Sequence, residues 1–252
     1  LPKSIGQDVR DWVRRGIVSG KASDGKLILK GNLADFPFRD GNKGAFLVTA
    51  RATDVTLDYA SDWPRIEGID ADLSFGVGMR IVAERGNLLG ARLSGVTAEI
   101  PDLESLDEML NIRGEAQGPT GEFLRFIEQS PVSAKIDHFT QGMKAEGTGR
   151  LELAFDLPLR RPQDTRLRGD YRFQNNQLEL LAALPPLTQV NGTLAISDSA
   201  VSAQEITGRA FGGPLKVGIR SLPDRIAVRA AGTANVADLG RHAGFVEHNL
   251  EL

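Results

Sequence analysis

The sequence contains no cysteine, which excludes a disulfide framework, a thiolate metal site and a cysteine nucleophile. It has only three histidines, His138, His242 and His248. None has a second His or Cys at ligand spacing, so each reads as a surface or turn residue and no metal is expected. No apolar run approaches the ~20 residues that cross a bilayer, and no signal peptide is visible. Strongly basic character is also missing. Net charge is −3 with both signs interspersed, and nucleic acid is not expected as a partner because phosphate binding needs a concentrated basic surface. Tryptophan and tyrosine number two each. A sugar-binding sandwich would display aromatics for stacking, but Trp12, Tyr59 and Tyr171 follow apolar phases and Trp63 precedes Pro64 at a turn. All four read as packing residues.

Catalytic signatures are absent too. There is no G-x-S-x-G elbow, no Walker loop and no H-E-x-x-H. Gly147-Thr148-Gly149 begins like a dinucleotide fingerprint, but it lacks the third glycine and a strand pattern follows where a helix is required. Carboxylates are plentiful, yet Asp70 and Asp72 alternate with Ile69, Ala71 and Leu73, where a solvated strand face would put them. Asp102, Glu104, Asp107 and Glu108 read as the wet side of a short helix with Leu103, Leu106 and Leu110. Asn191-Gly192-Thr193 matches a glycosylation sequon, which chance explains. An enzyme is not expected, and no cofactor is called for.

What the chain does have is glycine and alternation. It carries 28 glycines in 252 residues, against roughly 18 at an average usage of about 7%, which suits bends and bulges in sheets. Apolar residues recur at every second position in many stretches. In AFLVTARATDVTLDY, Phe46, Val48, Ala50 and Ala52 alternate; the phase then slips by one and continues through Val55, Leu57 and Tyr59. Further strand patterns cover Leu27 to Leu33, Ile69 to Phe75, Val77 to Ala83, Leu151 to Phe155, Leu167 to Phe173, Val190 to Ile196, Leu215 to Ile219 and Ile226 to Ala230. Short Gly, Asp or Asn turns such as SFGVG and FQNNQ separate neighbours, so antiparallel meandering is the default.

Helix signals are few. Ser4 to Gln7 has capping-box spacing ahead of Ile5, Val9, Trp12 and Val13. Thr120 is placed to cap a helix bearing Phe123, Leu124, Phe126 and Ile127, and Asn235 one bearing Leu239. These starts lie about 115 residues apart, which prompts a search for a repeat. A shift of 121 lays DFPF (Asp35 to Phe38) on DLPL (Asp156 to Leu159), Ala50 on Tyr171, Leu57 on Leu178, Pro64 on Pro185, Ile69 on Val190 and Leu73 on Leu194. One further residue of shift brings Met79 onto Val201 and Gly90 onto Gly212. The expected organisation is a first unit over 4–118, a second over 119–234, and the opening helix of a third over 235–252. Nothing resembles a polar terminal cap, and the chain starts at Leu1 rather than Met, so an excerpt of a longer array is expected.

Periodicity alone fits two architectures equally, a closed β-sandwich with two inner faces packed together and an open groove with one apolar side. An extracellular solenoid or adhesion module would show periods of about 20–30 residues. The segment GNLADFPF, the block DVTLDYASDWPRIEGIDADLSF and the stretch LPPLTQVNGTLAISDSAVSAQEITGRAFGGPL resemble the AsmA-like family of Gram-negative envelope proteins, most nearly its YhdP branch. In that branch a Trp-Leu-type helix, a G-x-L-x-D-F-P-F segment and a Y-x-x-x-W-P turn follow in order. Here they correspond to Trp12-Val13, Gly31 to Phe38, and Tyr59 to Pro64. Val13 stands where leucine is commoner, and nothing after about Phe245 matches.

The resemblance implies a mainly β fold, with antiparallel strands in an elongated, coiled, open repeating β-groove and a few short helices. It implies the periplasmic part of an inner-membrane-anchored protein, with the anchor and outer-membrane contacts supplied outside this segment. The partner implied is phospholipid, moved between the inner and outer membranes as bridge-like transport that supports outer-membrane lipid homeostasis. The alternative is a structural sandwich or solenoid interaction module of the envelope. An acyl chain of about 16 carbons in water costs on the order of 12 kcal/mol at ~0.8 kcal/mol per CH₂, so a continuous apolar face would remove most of that barrier. The residues expected to line it are Phe46, Val48, Val55, Leu57, Leu73, Phe75, Met79, Ile81, Leu153, Phe155, Phe173, Leu194, Ile196, Leu215, Val217, Ile219 and Val228.

Overall fold

The computed structural model describes residues 7–39, 41–182, 184–222 and 225–241. The expected capping residues Ser4 and Ile5, together with His242 and His248, lie outside them. The elements run α1 (Gln7–Gly16), β1 (Ile17–Gly31), β2 (Gly44–Leu57), β3 (Ile66–Phe75), β4 (Met79–Leu88), β5 (Ala91–Ile100), β6 (Met109–Pro119), α2 (Thr120–Glu128), α3 (Val132–Lys135), β7 (Lys144–Pro158), β8 (Arg166–Glu179), β9 (Leu187–Ser197), β10 (Val201–Ala210), β11 (Gly213–Ser221), β12 (Ile226–Gly232) and α4 (Val236–Arg241). The strands form a single sheet ordered as in the chain, as the alternation and short turns predict. The chain is thus mainly β, antiparallel and open, with few short helices. A closed sandwich needs a second sheet, and the described residues form none.

Two compact units divide the chain. The first comprises Leu1–Ala116 with Leu153–Leu167, and the second Gln117–Glu152 with Arg168–Leu252. The strands β6, β7 and β8 contribute residues to both.

In the first unit, β2 pairs with β3 through Val48 to Phe75, Ala50 to Leu73, Ala52 to Ala71, Val55 to Ile69 and Leu57 to Ile66, with bulges on either side of Val55. The phase slip seen after Thr53 is the first of these bulges. Asp54 sits there at φ 51°, and its N–H donates to Asp70 Oδ1 at 2.9 Å. Asp tolerates this left-handed conformation better than most residues, and the cross-strand carboxylate pairs the amide that the bulge leaves without a ladder partner.

In the second unit the same construction recurs 121 positions later. Gly169 pairs with Ile196, Tyr171 with Leu194, Phe173 with Gly192, Asn176 with Val190 and Leu178 with Leu187, with bulges at the corresponding places. Asn175 also has φ 51°, and its N–H donates to Asn191 Oδ1 at 2.9 Å.

Five local expectations need correction. FQNNQ (Phe173 to Gln177) is not a turn between strands but lies within β8, where Asn175 forms the bulge. DFPF lies in the β1–β2 connection, partly in a 3₁₀ turn at Leu33–Asp35, whereas Asp156 to Pro158 complete β7. These prolines are not structurally equivalent, because the connection after β7 is shorter and the strand runs further. Thr120 does not cap α2; Pro119 holds that position with no side-chain cap, since the Thr120 hydroxyl is engaged elsewhere. The segment from Asp102 to Asp107 forms turns rather than a helix, and Leu110 belongs to β6. β5, β6 and β10 are additional strands. The Asn235 cap is present, its Oδ1 accepting from the Ala237 N–H at 2.9 Å.

Candidate functional site

Directly opposite residues of an antiparallel pair project to the same face, so the register assembles side chains into rows. In the first unit, Leu27, Val48, Phe75, Met79 and Ile100 make one row across five strands. The next row is Ala50, Leu73, Ile81 and Ala98. After it come Ala22, Ala52, Ala71, Ala83 and Val96. Val55 with Ile69, and Leu57 with Ile66, continue the face beyond the bulge. At its other end the β1–β2 connection folds back over it. The Phe36 ring meets Phe46 with centroids 5.1 Å apart, and Phe38 packs where the Gly31 and Gly44 backbones leave room.

The opposite face is wet. Its rows include Lys26, Thr49, Ser74, Arg80 and Glu99. Arg51 bridges Asp72 at 3.0 Å and Glu84 at 2.8 Å, Arg85 reaches Asp70 at 2.6 Å, and Arg80 pairs with Glu99. The Arg85 guanidinium, followed by the Asp54 N–H, lowers the carboxyl pKa of Asp70. These groups behave as solvated ion pairs, as expected for Asp70 and Asp72. Asp102 and Glu104 bind Arg39, Glu108 binds Arg160, and Asp107 binds Arg161. These four carboxylates therefore hold connections together.

In the second unit, one row runs through Phe173, Gly192, Ile206, Val217 and Ala230. Another holds Ala203, Ile219 and Val228. Tyr171 stands opposite Leu194, and Ile196 opposite Val201.

The register thus brings Phe46, Val48, Val55, Leu57, Leu73, Phe75, Met79 and Ile81 onto one face of the first unit. It brings Phe173, Leu194, Ile196, Leu215, Val217, Ile219 and Val228 onto one face of the second. Leu153 and Phe155 share a face of β7, in the part of that strand that belongs to the first unit. None of the seventeen is buried: sixteen are half-buried, and Val228 is exposed.

Buried apolar residues are few among those described: Phe38, Ala71, Ala91, Ile100, Tyr171, Val190, Ala203, Ile206 and Ala210. Four are alanines, Ala71, Ala91, Ala203 and Ala210. Leu27, Leu29 and Val228 are more than half exposed, so apolar side-chain surface in both units is left uncovered by the described residues.

The two faces differ. In the second unit Val190, Ala203 and Ile206 form a buried cluster with Phe173, Leu178, Leu187, Leu194, Val217 and Ile219 packed around it. Tyr171 lies there as well, its phenol pushed up to about 12, chiefly by burial. Pattern reading missed Val96, Ala98 and Ile100 on β5 and Ala203 and Ile206 on β10. Strict alternation breaks on both strands, at Gly95 (φ 57°) and at the register shift between Ala203 and Ile206.

Tyr59, Trp63 and Tyr171 are covered as expected, whereas Trp12 is exposed. Trp12 Nε1 donates to the Tyr59 carbonyl at 3.0 Å, and the Tyr59 and Trp63 rings lie 6.1 Å apart. His138 is exposed, with Nδ1 2.9 Å from Ser133 Oγ. Among the described residues no His, Cys, Asp and Glu group is arranged to hold a metal, and no helix is long and apolar enough to cross a membrane.

The sequence model of the YhdP protein family matches residues 1–245. The intermembrane phospholipid transporter YhdP of Escherichia coli (strain K12) is 27% identical over 214 residues, which cover 84% of this chain and 17% of that relative. The chain therefore spans under a fifth of the length of this relative. No solved structure matches it.

Proposed function

From the premise that this chain belongs to the YhdP family, we propose that it is a segment of a lipid conduit through which phospholipid passes between the inner and outer membranes, and that its apolar sheet face shields the acyl chains. The observation that carries this reading is the set of apolar rows across four and five strands in the first unit, whose expected lining side chains are all only half-buried, with an ion-paired face behind. A phospholipid leaves water only where apolar surface replaces it along the path, and such a face needs no headgroup pocket when headgroups remain in solvent. The relative's name as an intermembrane phospholipid transporter supports the choice of ligand. The reading makes the chain a carrier rather than an enzyme. It places the chain in the periplasm, with membrane anchor and outer-membrane contacts supplied by other parts of the protein. It also divides the chain into repeat units at 4–118 and 119–234, with a third beginning at 235–252. The shared register at a 121-residue offset favours that division.

The test is photo-crosslinking in the full-length protein. Probes at Phe75 and Ile196, on the apolar face, should capture phospholipid. Probes at Asp72 and Arg220, on the opposite face, should not. Equal yields at all four positions would overturn the proposal.

A further inference from the structure

The two units share a register but differ at two floor positions, and a helix lies on the face where they differ. The first unit has Ala50 and Val55; their counterparts in the second are Tyr171 and Asn176. Both polar side chains are buried, Tyr171 at 6% exposure and Asn176 at 0%. They are joined through the first residue of α2. Tyr171 Oη donates to Thr120 Oγ1 at 2.8 Å, and Thr120 Oγ1 donates to Asn176 Oδ1. Asn176 Nδ2 completes the chain by donating to the carbonyls of Thr148 at 2.7 Å and Gln174 at 2.9 Å. One turn along α2, the Phe123 ring packs edge-on against Tyr171 with centroids 5.0 Å apart.

The neighbouring strand accommodates the trio. A Cβ at Gly147 would stand 2.6 Å from Asn176 Nδ2, and one at Gly149 would run into Tyr171 Oη. In the first unit the glycine that faces Val55 is Gly20. Two residues beyond it stands Ala22, opposite Ala52, where the smaller Ala50 leaves space for a Cβ. Tyrosine with glycine in one unit answers to alanine with alanine in the other. A buried polar chain with every partner satisfied fixes one arrangement, because opening it strands polar groups away from water.

We propose that α2 is a crossbar over β8 that occupies apolar surface left to lipid in the first unit, and that the Tyr171–Thr120–Asn176 chain holds it there. Acyl chains in the second unit then have only the β9–β12 part of the face, so the trio sets the width of the lipid path. This rests on the lipid-carrying reading above.

The experiment uses the full-length protein with a photo-reactive side chain at Phe173, beside Tyr171 on β8, and a reference probe at Leu73 in the first unit. Two backgrounds are compared with the parent. One carries Thr120→Ala, Tyr171→Ala and Asn176→Val, the last two being the first unit's residues. The other carries Thr120→Val alone, which keeps the shape and removes the hydroxyl. Amide exchange over residues 120–128 should quicken on the order of tenfold, the equivalent of one buried hydrogen bond left unmade, and lipid capture at Phe173 should rise towards that at Leu73. A freed helix with unchanged capture at Phe173, while Leu73 still captures lipid, overturns the crossbar and leaves the conduit standing. Unchanged exchange in both backgrounds overturns the anchoring. No capture at Leu73 in the parent removes the conduit reading and the crossbar with it. Where the triple variant loses protection in β8–β10, Thr120→Val decides by the same readouts.

Discussion

Leu73→Asp separates what the apolar face does for folding from what it does for lipid. Leu73 lies mid-row between Ala50 and Ile81 and is only half-buried, so removing it costs the fold about 1 kcal/mol, half the value of a fully buried leucine. The aspartate keeps much of its hydration because the position is only half-buried. An acyl chain sliding over that position must either strip water from the carboxylate, which costs several kcal/mol, or find it protonated. At pH 7 protonating a carboxyl of ordinary pKa ~3.9 costs about 4 kcal/mol, at 1.36 kcal/mol per unit. The cheaper route sets the barrier, so passage slows by up to about 10³-fold. The block should weaken by about tenfold per pH unit as pH falls towards 4. The assay is transfer of labelled phospholipid between membranes by the full-length protein, read beside its thermal unfolding. Ser74→Asp, one residue along and on the wet face opposite Arg80, is the control and should transfer lipid normally. Transfer at the parent rate by a folded Leu73→Asp protein, or an equal block by Ser74→Asp, would refute the reasoning.

Gly149→Ala should destabilise the second unit by about 1–3 kcal/mol, the usual range for overpacking, as seen in thermal unfolding. In a Tyr171→Ala background the same glycine change should cost much less, since the Cβ at 149 collides with Tyr171 Oη. Asp70→Ala and Asn191→Ala should each lower the midpoint of denaturant unfolding, because each leaves a bulge N–H without its acceptor; the Asp70 variant also loses Arg85. The pH dependence has a definite sign at Glu108. Its hydrogen bonds from Arg160 lower its pKa to about 2, below the ordinary ~4.3. A depressed folded pKa contributes stability that is complete above the ordinary value and is lost as pH falls through the window from about 4.5 to 2. Melting temperature should therefore decline across that window, and Arg160→Gln should flatten this component of the decline.

Much of the face was readable because a strand's period is two and its register keeps like with like. Phe46 to Leu57 and Ile69 to Phe75 each advertise one oily side, and the β2–β3 pairing aligns them. Even the phase slip after Thr53 announced its bulge. The parts that stayed hidden depend on contacts distant in sequence. Thr120 looks like a helix cap by position, yet its hydroxyl pairs with Tyr171 and Asn176, more than fifty residues away. Asn176 breaks the apolar phase and reads as a surface residue, although it is fully buried. The DFPF and DLPL match misled because a connection and the end of a strand happened to carry similar letters. Nor could alternation alone decide between a covered face and an open one, since both demand the same pattern.

A sheet with so little buried core still has to be held together, and the arrangement of its contacts shows how. In the first unit only Phe38, Ala71, Ala91 and Ile100 are buried apolar residues among those described. The remaining apolar contacts run mostly sideways along rows, each cross-strand neighbour contributing roughly 0.2–1 kcal/mol, with the β1–β2 connection adding Phe36 against Phe46 at one end. Backbone ladders supply the rest of the order, and the Asp54–Asp70 and Asn175–Asn191 pairs keep the bulges from leaving open amides. Interactions of this nearest-neighbour kind add along the sheet as they do in other repeat architectures. Their stabilisation does not require the apolar face to be closed. A sandwich must bury that face against itself to fold, so it has none left to offer. Here the fold rests on the rows and ladders, which leaves the outward apolar surface free for a guest. The second unit departs from the rule where Tyr171 and Asn176 are buried and hydrogen-bonded in a chain through Thr120 at the start of α2.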